Sequence, residues 1–345
     1  MISNNFIKSV KVLSEDRAPE IHTKVRVQFH QSGTYTALTV DMRRPTYFEK
    51  LVVARVHEIL PSLRSASLPL NSIHNVAHQG YNIARGFYRS ILPPVGVEAP
   101  VFDTRSAEPN NVAHLLLDLI PYCLHARNIA GPEVVCLFQK LGSQFARLLE
   151  VFKISPLCER RRVKAETIRI RGTRGLAVYD LLGTFDCWGI NFFPNIYSAM
   201  TLSSSIGFER VFLARRGPRG LINQAEIEAL VSRYGYKTVF MEDYSIHDQL
   251  SIGARAKHVV AVHGAAMSFL VMNQNIDSVI ELLPPNVYHE LFPVCLSPRV
   301  GRYEQIIPEF DQAVAHSGWQ TIVRFKNARF STDAKLLENC LSEMH

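Results

Sequence analysis

The stretch that decides the fold opens with Val211-Phe-Leu-Ala-Arg215 and closes with Ser278-Val-Ile-Glu-Leu-Leu283. Two further apolar runs between them, Lys237–Met241 and His258–Val262, have the length and composition of buried strands. Amphipathic segments with helical periodicity separate the four runs, and they span Asn223–Tyr234, Ser245–Ala256 and Gly264–Met272. This β-α-β-α-β-α-β order with short connections predicts an α/β fold built on a parallel sheet with right-handed crossovers.

Two of the predicted helices begin with residues that favour helix starts. Asn223 is followed three residues later by Glu226, which is a pattern similar to a capping box. Ser245 precedes the next helix, and its hydroxyl can accept a hydrogen bond from the first turn. Both boundaries therefore have a local chemical signal in addition to periodicity.

Chemically useful side chains lie at the carboxyl ends of three of these strands. Arg215 ends the first strand, His263-Gly264-Ala265-Ala266 follows the third, and Glu281 lies near the end of the fourth. In a parallel sheet these ends meet at one edge, where ligands bind. A guanidinium can hold phosphate oxygens, a Gly-Ala-Ala turn lets N–H groups approach an anion, and a carboxylate can accept from ribose hydroxyls. We therefore expect this edge to bind a nucleotide diphosphate.

These residues resemble the signature of glycosyltransferase family 61, in their order and with similar spacing. The resemblance covers about the last half of the chain, and it is carried by Arg215, Arg219, Asn223, Gln249, His263-Gly264-Ala265-Ala266 and Glu281-Leu282. Two positions depart from the pattern. Gln224 stands where an acidic residue is common, and Met267-Ser268-Phe269 replaces the usual Leu-Thr-Asn. The second departure leaves the identity of the sugar or the base open.

The resemblance implies a GT-B fold, in which two Rossmann-like domains face each other across a cleft and a C-terminal helix crosses back. It implies inverting transfer of a sugar from a nucleotide-sugar donor, with UDP-sugar expected, to a glycan or a lipid-linked saccharide. We place an N-terminal acceptor-side domain at residues 1–190 and a donor-binding domain at 191–315. Residues 316–345, with their apolar stripe at Leu336, Leu337, Cys340, Leu341 and Met344, are expected to pack back on the N-terminal domain.

Three segments outside the central stretch complete the predicted organisation. Ile21–His30 alternates polar and apolar residues and is expected to pair with Thr34–Val40 as an antiparallel hairpin that starts the N-terminal domain. Tyr179–Phe193 is expected to hold the interdomain linker, and Pro194–Ile206 a helix that enters the C-terminal domain.

A second informative stretch, Asn110-Asn-Val-Ala-His-Leu-Leu-Leu-Asp-Leu-Ile-Pro121, predicts a helix capped by Asn110 or Asn111. His114 and Asp118 are four residues apart and share one face of it. The family resemblance implies a role at the cleft, with His114 backed by Asp118, or Asp118 itself, as general base. The alternative is a His–Asp pair that serves the helix start or an interdomain contact.

The resemblance and the chemistry assign the remaining candidate residues. Arg215 and Arg219 are expected to contact the phosphates, and the N–H groups of Gly264 and Ala265 to bind the diphosphate. His263 either hydrogen-bonds the donor or acceptor or is a satisfied core residue. The remaining two are also open: Gln249 either binds the base or supports the Arg215 loop, and Glu281 either contacts ribose or sugar hydroxyls or is structural.

The sequence contains no Asp-x-Asp motif, which many transferases use to hold a metal at the diphosphate. The site is therefore expected to rely on arginines and helix-terminal N–H groups, with no metal and no cofactor.

Composition sets wider bounds on function. The chain of 345 residues carries a formal net charge of +7, which is compatible with nucleic acid, an acidic membrane surface or an anionic substrate. The arginines between Arg160 and Arg174 form either a solvated strand face or a patch for anionic lipid or acidic glycan. No nucleic-acid-binding motif is present, so nucleic acid is not expected as a partner. A non-catalytic glycan-binding protein or a nucleic-acid-binding protein is the alternative to an enzyme.

Six scattered cysteines without a Cys-x-x-Cys pair favour reduced thiols. The absence of a membrane-length apolar run and of a signal-peptide core favours a bacterial-type enzyme of capsule or lipopolysaccharide synthesis. Its expected location is cytoplasmic, with a peripheral contact at the inner membrane as an additional possibility.

Overall fold

The computed structural model describes residues 10–13, 22–31, 34–43, 93–105, 110–138, 140–161, 163–170, 189–285, 287–289, 291–308, 316–317 and 328–344. These residues fall into two compact units. The first unit holds the described residues of 1–19, 45–110 and 122–182. The second holds those of 20–44, 111–121 and 183–345.

The described strands, in chain order, are β1 (Val10–Leu13), β2 (His22–Gln31), β3 (Thr34–Arg43), β4 (Val95–Gly96), β5 (Val101–Asp103), β6 (Val135–Phe138), β7 (Ser155–Cys158), β8 (Val163–Lys164), β9 (Thr167–Ile170), β10 (Arg210–Leu213), β11 (Lys237–Val239), β12 (His258–Val262), β13 (Ile276–Leu282), β14 (Val287–Tyr288), β15 (Val300–Ile307) and β16 (His316–Ser317). The described α-helices are α1 (Val112–His114), α2 (Ile120–Ala130), α3 (Ser143–Val151), α4 (Gly189–Phe192), α5 (Gln224–Arg233), α6 (Ile246–Arg255), α7 (Leu291–Leu296) and α8 (Ala334–Ser342). A π-helical turn spans Leu115–Leu119, and 3-10 helices span Met241–Asp243, Ala265–Met272 and Ser297–Arg299.

The first unit is built on a parallel sheet. Its five described strands lie in the order β1-β9-β5-β6-β7, and every pair of neighbours is parallel. β6 and β7 are joined through α3, whose Leu148 and Leu149 are buried. This connection has the length that a parallel crossover requires. Beside this sheet, β4 and β8 form a short parallel pair.

The second unit is built on a seven-stranded sheet in the order β11-β10-β12-β13-β15-β2-β3. All neighbours are parallel except β2 and β3, which form an antiparallel hairpin at the edge. The order of its first five strands is that of a doubly wound sheet. The chain turns outward from β10 to β11 and then continues on the other side of β10 with β12. The topological switch point therefore lies between the carboxyl ends of β10 and β12.

Alternate residues of the central strands point to one face of this sheet and form an apolar core with α5 and α8. That core includes Val260, Val262, Ile280, Leu282 and Ile306 from the strands, and Leu230, Val231, Leu336, Leu337, Cys340 and Leu341 from the helices. On the α6 side, the helix packs against the 3-10 helix Ala265–Met272. Side chains return to the same face about every two residues along a strand and about every 3.6 residues along a helix, which explains which residues are buried.

The predicted α/β class with parallel sheets is confirmed. The four strands and the first two helices of the central stretch form close to their predicted bounds, and Ser245 caps α6 by accepting a hydrogen bond from Asp248 N–H. The third predicted helix forms as a 3-10 helix. Asn223 precedes α5, but its side chain does not accept from the helix; it donates to Glu226 and exchanges hydrogen bonds with the backbone of Thr332.

The predicted helix Pro194–Ile206 is wrong. Described residues 194–199 form turns, and the segment that follows has no regular structure. Its serines bond to side chains instead of continuing a helix: Ser204 Oγ donates to Asp248 at 2.5 Å, and Ser203 Oγ lies 2.7 Å from His247 Nδ1. Ser204 Oγ also accepts from Ile206 N–H at 3.1 Å, and local bonds of this kind compete with helical backbone bonding.

The compact units divide the described residues differently from the expected domain bounds, which stay a prediction. The hairpin β2–β3 forms as predicted, but it belongs to the second unit, because β2 pairs with β15. Residues 111–121 also belong to that unit. α8 packs on α5 in the same unit, whereas residues 316–345 were expected on the N-terminal domain. Residues 179–188 of the predicted linker lie outside the described residues, and the rest of it begins with α4.

Candidate active site

Arg215 and Gly264 meet at the switch point of the second sheet. Arg215 follows β10 and Gly264 follows β12, and these strands are neighbours. A Cβ atom at Gly264 would lie 2.2 Å from Nη1 of Arg215. The backbone of Gly264 is extended, with φ 163° and ψ 179°, so glycine is needed here for space and not for an unusual conformation. The missing side chain lets a guanidinium lie against the turn that opens the 3-10 helix.

The loop after Arg215 is held in a defined shape. Arg215 Nε donates to the carbonyl of Pro218 at 2.8 Å. Gly217 and Arg219 both have positive φ, at 70° and 66°, and Arg219 N–H donates to the Ala328 carbonyl at 3.1 Å. A non-glycine residue in the left-handed region carries a conformational cost. The C-terminal segment at Ala328 therefore helps to fix the conformation of Arg219.

Both arginines are half-buried cations, and no described residue supplies a carboxylate partner for either of them. Among the described residues, neither Arg215 nor Arg219 forms an ion pair, and the buried Nε of Arg219 has no hydrogen-bond partner. Burial and then the charge of Arg219 lower the pKa of Arg215 to about 10, while Glu242 acts in the opposite direction. Burial also lowers the pKa of Arg219. Both remain protonated near neutral pH, so an anion bound between them would relieve unfavourable electrostatics.

Arg216 lies in the same loop, but its guanidinium has a carboxylate partner. Its guanidinium makes a forked ion pair with Asp243, at 2.6 and 2.7 Å, and stacks over the ring of Phe240. It is also exposed. The absence of such partners at Arg215 and Arg219 is therefore not a general property of the loop.

The N–H groups predicted to bind the diphosphate lie at the start of the 3-10 helix Ala265–Met272. The first N–H groups of a helix have no intrahelical acceptor, and they favour an anion. Met267 N–H is already used by the Gly264 carbonyl. Ala265 is the first residue of this helix, and it directly follows Gly264, against which Arg215 lies.

His263 and Glu281 form a buried pair beside this turn. Nδ1 of His263 lies 2.5 Å from Oε1 of Glu281, and the two side chains are 4% and 0% exposed. Oε2 of Glu281 accepts from Tyr303 Oη at 2.9 Å and from Gln305 Nε2 at 2.8 Å. The carboxylate therefore has three donors, which offset the cost of burying its charge.

His114 and Asp118 lie in the same unit as these residues. Asn111 caps α1 by accepting from Ala113 N–H at 2.9 Å, and α1 packs against the 3-10 helix after Gly264. Asp118 lies in the π-helical turn, is 3% exposed, and accepts from Gly189 N–H at 3.0 Å. Burial raises the pKa of Asp118 to about 8, although the Gly189 bond acts against this. Burial lowers the pKa of His114 to about 4.

A model of the family Glycosyltransferase 61 matches residues 112–280. The matched range begins at α1 and extends into β13, so it includes every element that forms the switch point. The chain belongs to glycosyltransferase family 61. Membership supports glycosyltransferase activity, with a sugar donor and a glycan acceptor as substrates. Among curated proteins, none matches the chain significantly.

Glu281, expected either to contact ribose or sugar hydroxyls or to be structural, is bonded on all sides to protein donors. The side chain is fully buried, and both carboxylate oxygens already accept hydrogen bonds from protein donors. A ribose hydroxyl would have to displace one of these donors, which would leave a buried polar group unpaired at a cost of about 1–3 kcal/mol. The structural alternative therefore fits the geometry.

Gln249 lies in the N-terminal half of α6, half-buried, and its Nε2 donates to the Tyr244 carbonyl at 2.9 Å. This bond ties the side chain to the segment before its own helix. Its predicted contact with the base or with the Arg215 loop stays a prediction.

Two residues of the family 61 protein were not singled out from sequence: Tyr303 and Gln305. The run Tyr303–Ile307 has a composition typical of a strand, but local sequence does not indicate its neighbours in the sheet. The register Glu281↔Gln305 is what brings these side chains to the carboxylate. Within the described part of the chain, no group of three or more His, Cys, Asp and Glu side chains could hold a metal ion. No helix among the described residues has both the length and the apolar character needed to cross a bilayer.

Proposed function

We propose that the protein transfers a sugar from a UDP-sugar to a hydroxyl of a glycan or a lipid-linked saccharide, with inversion at the sugar carbon and without a metal ion. The nucleotide diphosphate is held at the switch point of the second sheet. The arrangement of two Rossmann-like domains typical of GT-B enzymes is part of this proposal.

The observation that supports the proposal most directly is the position of Arg215. Its guanidinium lies against Gly264 at the carboxyl end of the parallel strands, next to a second half-buried arginine and without an ion-pair partner among the described residues. Ligands of doubly wound sheets bind at this place. Two guanidinium groups and the first N–H groups of the 3-10 helix can neutralise a diphosphate, and they supply in protein groups the charge that a divalent ion supplies elsewhere.

The other candidate residues have roles at the same site in this proposal. Arg219 contacts the phosphates together with Arg215, and Ala265 N–H binds a diphosphate oxygen. Gln249 binds the base. The helix α1 places His114 near the turn at Gly264, where its neutral imidazole can hydrogen-bond the sugar or the acceptor.

The proposal is tested by isothermal titration calorimetry with UDP. We expect the wild-type protein to bind UDP, and Arg215→Ala to weaken binding at least tenfold, which corresponds to about 1.4 kcal/mol. The matched control is Arg216→Ala, since Arg216 lies in the same loop but is already paired with Asp243. Its affinity for UDP is expected to stay within about twofold of wild type.

A third arm repeats the titration in the presence of EDTA, and the heat should be unchanged. Loss of UDP binding in EDTA would contradict the metal-independent part of the proposal. If the wild-type protein bound neither UDP nor another nucleoside diphosphate, the donor assignment would be wrong.

A further inference from the structure

The centre of the second sheet contains a polar cluster that the donor site does not use. Glu281 lies in register with Ala261 on one neighbouring strand and with Gln305 on the other. Side chains alternate along strands, so Ala261, His263, Glu281 and Gln305 share one face. Three adjacent parallel strands thus bring a histidine, a carboxylate and an amide together by register alone.

The hydrogen bonds within this cluster fix the state of His263. Ionised carboxylates only accept hydrogen bonds, so the proton between His263 and Glu281 is assigned to Nδ1. Tyr303 Oη and Gln305 Nε2 donate to the second oxygen and hold the carboxylate in place. Burial and the charge of Glu281 raise the pKa of Tyr303 well above its usual range, so its hydroxyl remains a donor.

The second ring nitrogen of His263 is then an acceptor. No described residue forms a hydrogen bond with Nε2, and the ring packs edge-on with His289 at 4.9 Å and with Phe292 at 5.5 Å between centroids. His263 directly precedes Gly264, against which Arg215 lies. A basic nitrogen is therefore placed one residue from the turn proposed to hold the diphosphate.

The two residues first considered for proton abstraction are less suited to it. Asp118 accepts from Gly189 N–H and its raised pKa keeps it protonated near neutral pH. The lowered pKa of His114 makes its imidazole a weak base. A general base must be unprotonated at the operating pH and must hold the proton that it takes.

We propose that His263 is the catalytic base of the transfer and that Glu281, held by Tyr303 and Gln305, is the residue that positions it. This rests on the proposed function. Nε2 takes the proton of the acceptor hydroxyl as the hydroxyl oxygen bonds to C1 of the sugar. The bond between C1 and the diphosphate oxygen breaks, and its electron pair leaves with UDP. The imidazolium, stabilised by Glu281, then loses its proton to solvent.

The first test compares His263→Gln with wild type. Glutamine can still donate to Glu281 but cannot act as a base. UDP release is measured with UDP-glucose, UDP-galactose and UDP-N-acetylglucosamine, with water and nitrophenyl glycosides as acceptors. We expect kcat to fall about 10²- to 10⁴-fold, while the affinity for UDP stays within about threefold of wild type. His258→Gln, at the start of the same strand, is the control and should keep wild-type kcat.

The positioning role is tested with Glu281→Gln through the pH dependence of kcat. The neutral amide no longer stabilises the imidazolium, so the acidic limb of the profile should move to lower pH. A purely structural role would lower kcat without moving that limb. Among the described residues, the titratable or charged groups on the elements around His263 are Glu281, Tyr303, His289, Cys295, Arg215, His114 and Asp118.

The tautomer of His263 can also be measured in the free protein, without turnover of an acceptor. Long-range ¹⁵N–¹H spectra of ¹⁵N-histidine-labelled protein should show one neutral, Nδ1-protonated histidine that is lost in His263→Gln or that changes in Glu281→Gln. An Nε2-protonated His263 would overturn the proposal, as would wild-type kcat or lost UDP binding in His263→Gln. Failure of the wild-type protein to bind UDP would instead refute the proposed function.

Discussion

At the scale of single residues, the proposed donor site depends on the absence of a side chain at Gly264. Gly264 has an extended backbone that alanine could also adopt, but the space of its Cβ is taken by the guanidinium of Arg215. In contrast, Gly217 has φ +70°, so there glycine serves the backbone, and no atom lies within 4 Å of its Cβ position. The two glycines therefore act through different physical causes, steric at one position and conformational at the other.

This distinction predicts the effect of Gly264→Ala. The added methyl group would lie 2.2 Å from Nη1 of Arg215, so the side chain must leave its position. We expect UDP affinity to fall about tenfold or more, or about 1.4 kcal/mol, with little change in the melting temperature. The control is Gly96→Ala, where no atom lies within 4 Å of the new Cβ. Wild-type UDP affinity in Gly264→Ala would show that Arg215 does not need this position.

At the scale of elements, α6 packs against the 3-10 helix Ala265–Met272, which begins at the turn proposed to bind the diphosphate. Gly253 lies in α6, and a Cβ there would lie 2.2 Å from the carbonyl oxygen of Phe269. Two effects oppose each other at this position. Alanine improves helix propensity over glycine by about 1 kcal/mol, whereas overpacking costs about 1–3 kcal/mol. Backbone atoms cannot move aside as side chains do, so the cost of overpacking should exceed the gain in helix propensity.

Gly253→Ala is therefore expected to lower the free energy of unfolding by up to about 2 kcal/mol, as measured by urea denaturation. Ala254→Gly, at the next residue of the same helix, measures the propensity effect alone and should cost about 1 kcal/mol. A more stable Gly253→Ala protein would mean that α6 can move away from Phe269 at no cost.

At the scale of the whole molecule, the second sheet is completed by segments from both ends of the chain. Gln28 on β2 donates to the fully buried carboxylate of Glu304 at 3.0 Å. Arg302 Nε donates to the same carboxylate at 2.6 Å, and Arg26 of β2 also pairs with Glu343 at 2.5 Å, just after α8. The hairpin, the central sheet and the C-terminal helix therefore share one polar network.

The position of α8 predicts the effect of Leu337→Ala. Leu337 is fully buried in the core formed with α5 and the central strands. Truncation should cost about 2–5 kcal/mol, as for other buried leucines, and the loss is measured by thermal or urea unfolding. Lys335→Ala, exposed on the same helix, should stay within about 0.5 kcal/mol of wild type. Equal stability of both variants would show that α8 contributes little to the core.

The sequence by itself determined the strands and helices of residues 211–283 and the chemistry at their ends. Periodicity indicates which face of an element is buried, and strand ends in a parallel sheet meet at one edge. These two facts were enough to predict Arg215 and Gly264 as parts of one site. The serine-rich segment 194–206 was predicted wrongly, because its hydrogen bonds go to α6, which periodicity does not report.

Only the tertiary structure decided which distant segments complete the sheet and which side chains bond to Glu281. Burial of one face does not specify the covering element, so β2 and α8 could not be assigned to the second unit from their patterns. The partners of Glu281 come from two neighbouring strands, and strand order and register set that contact. Those are properties of the folded sheet, since hydrogen bonds between parallel strands join residues that local sequence does not connect.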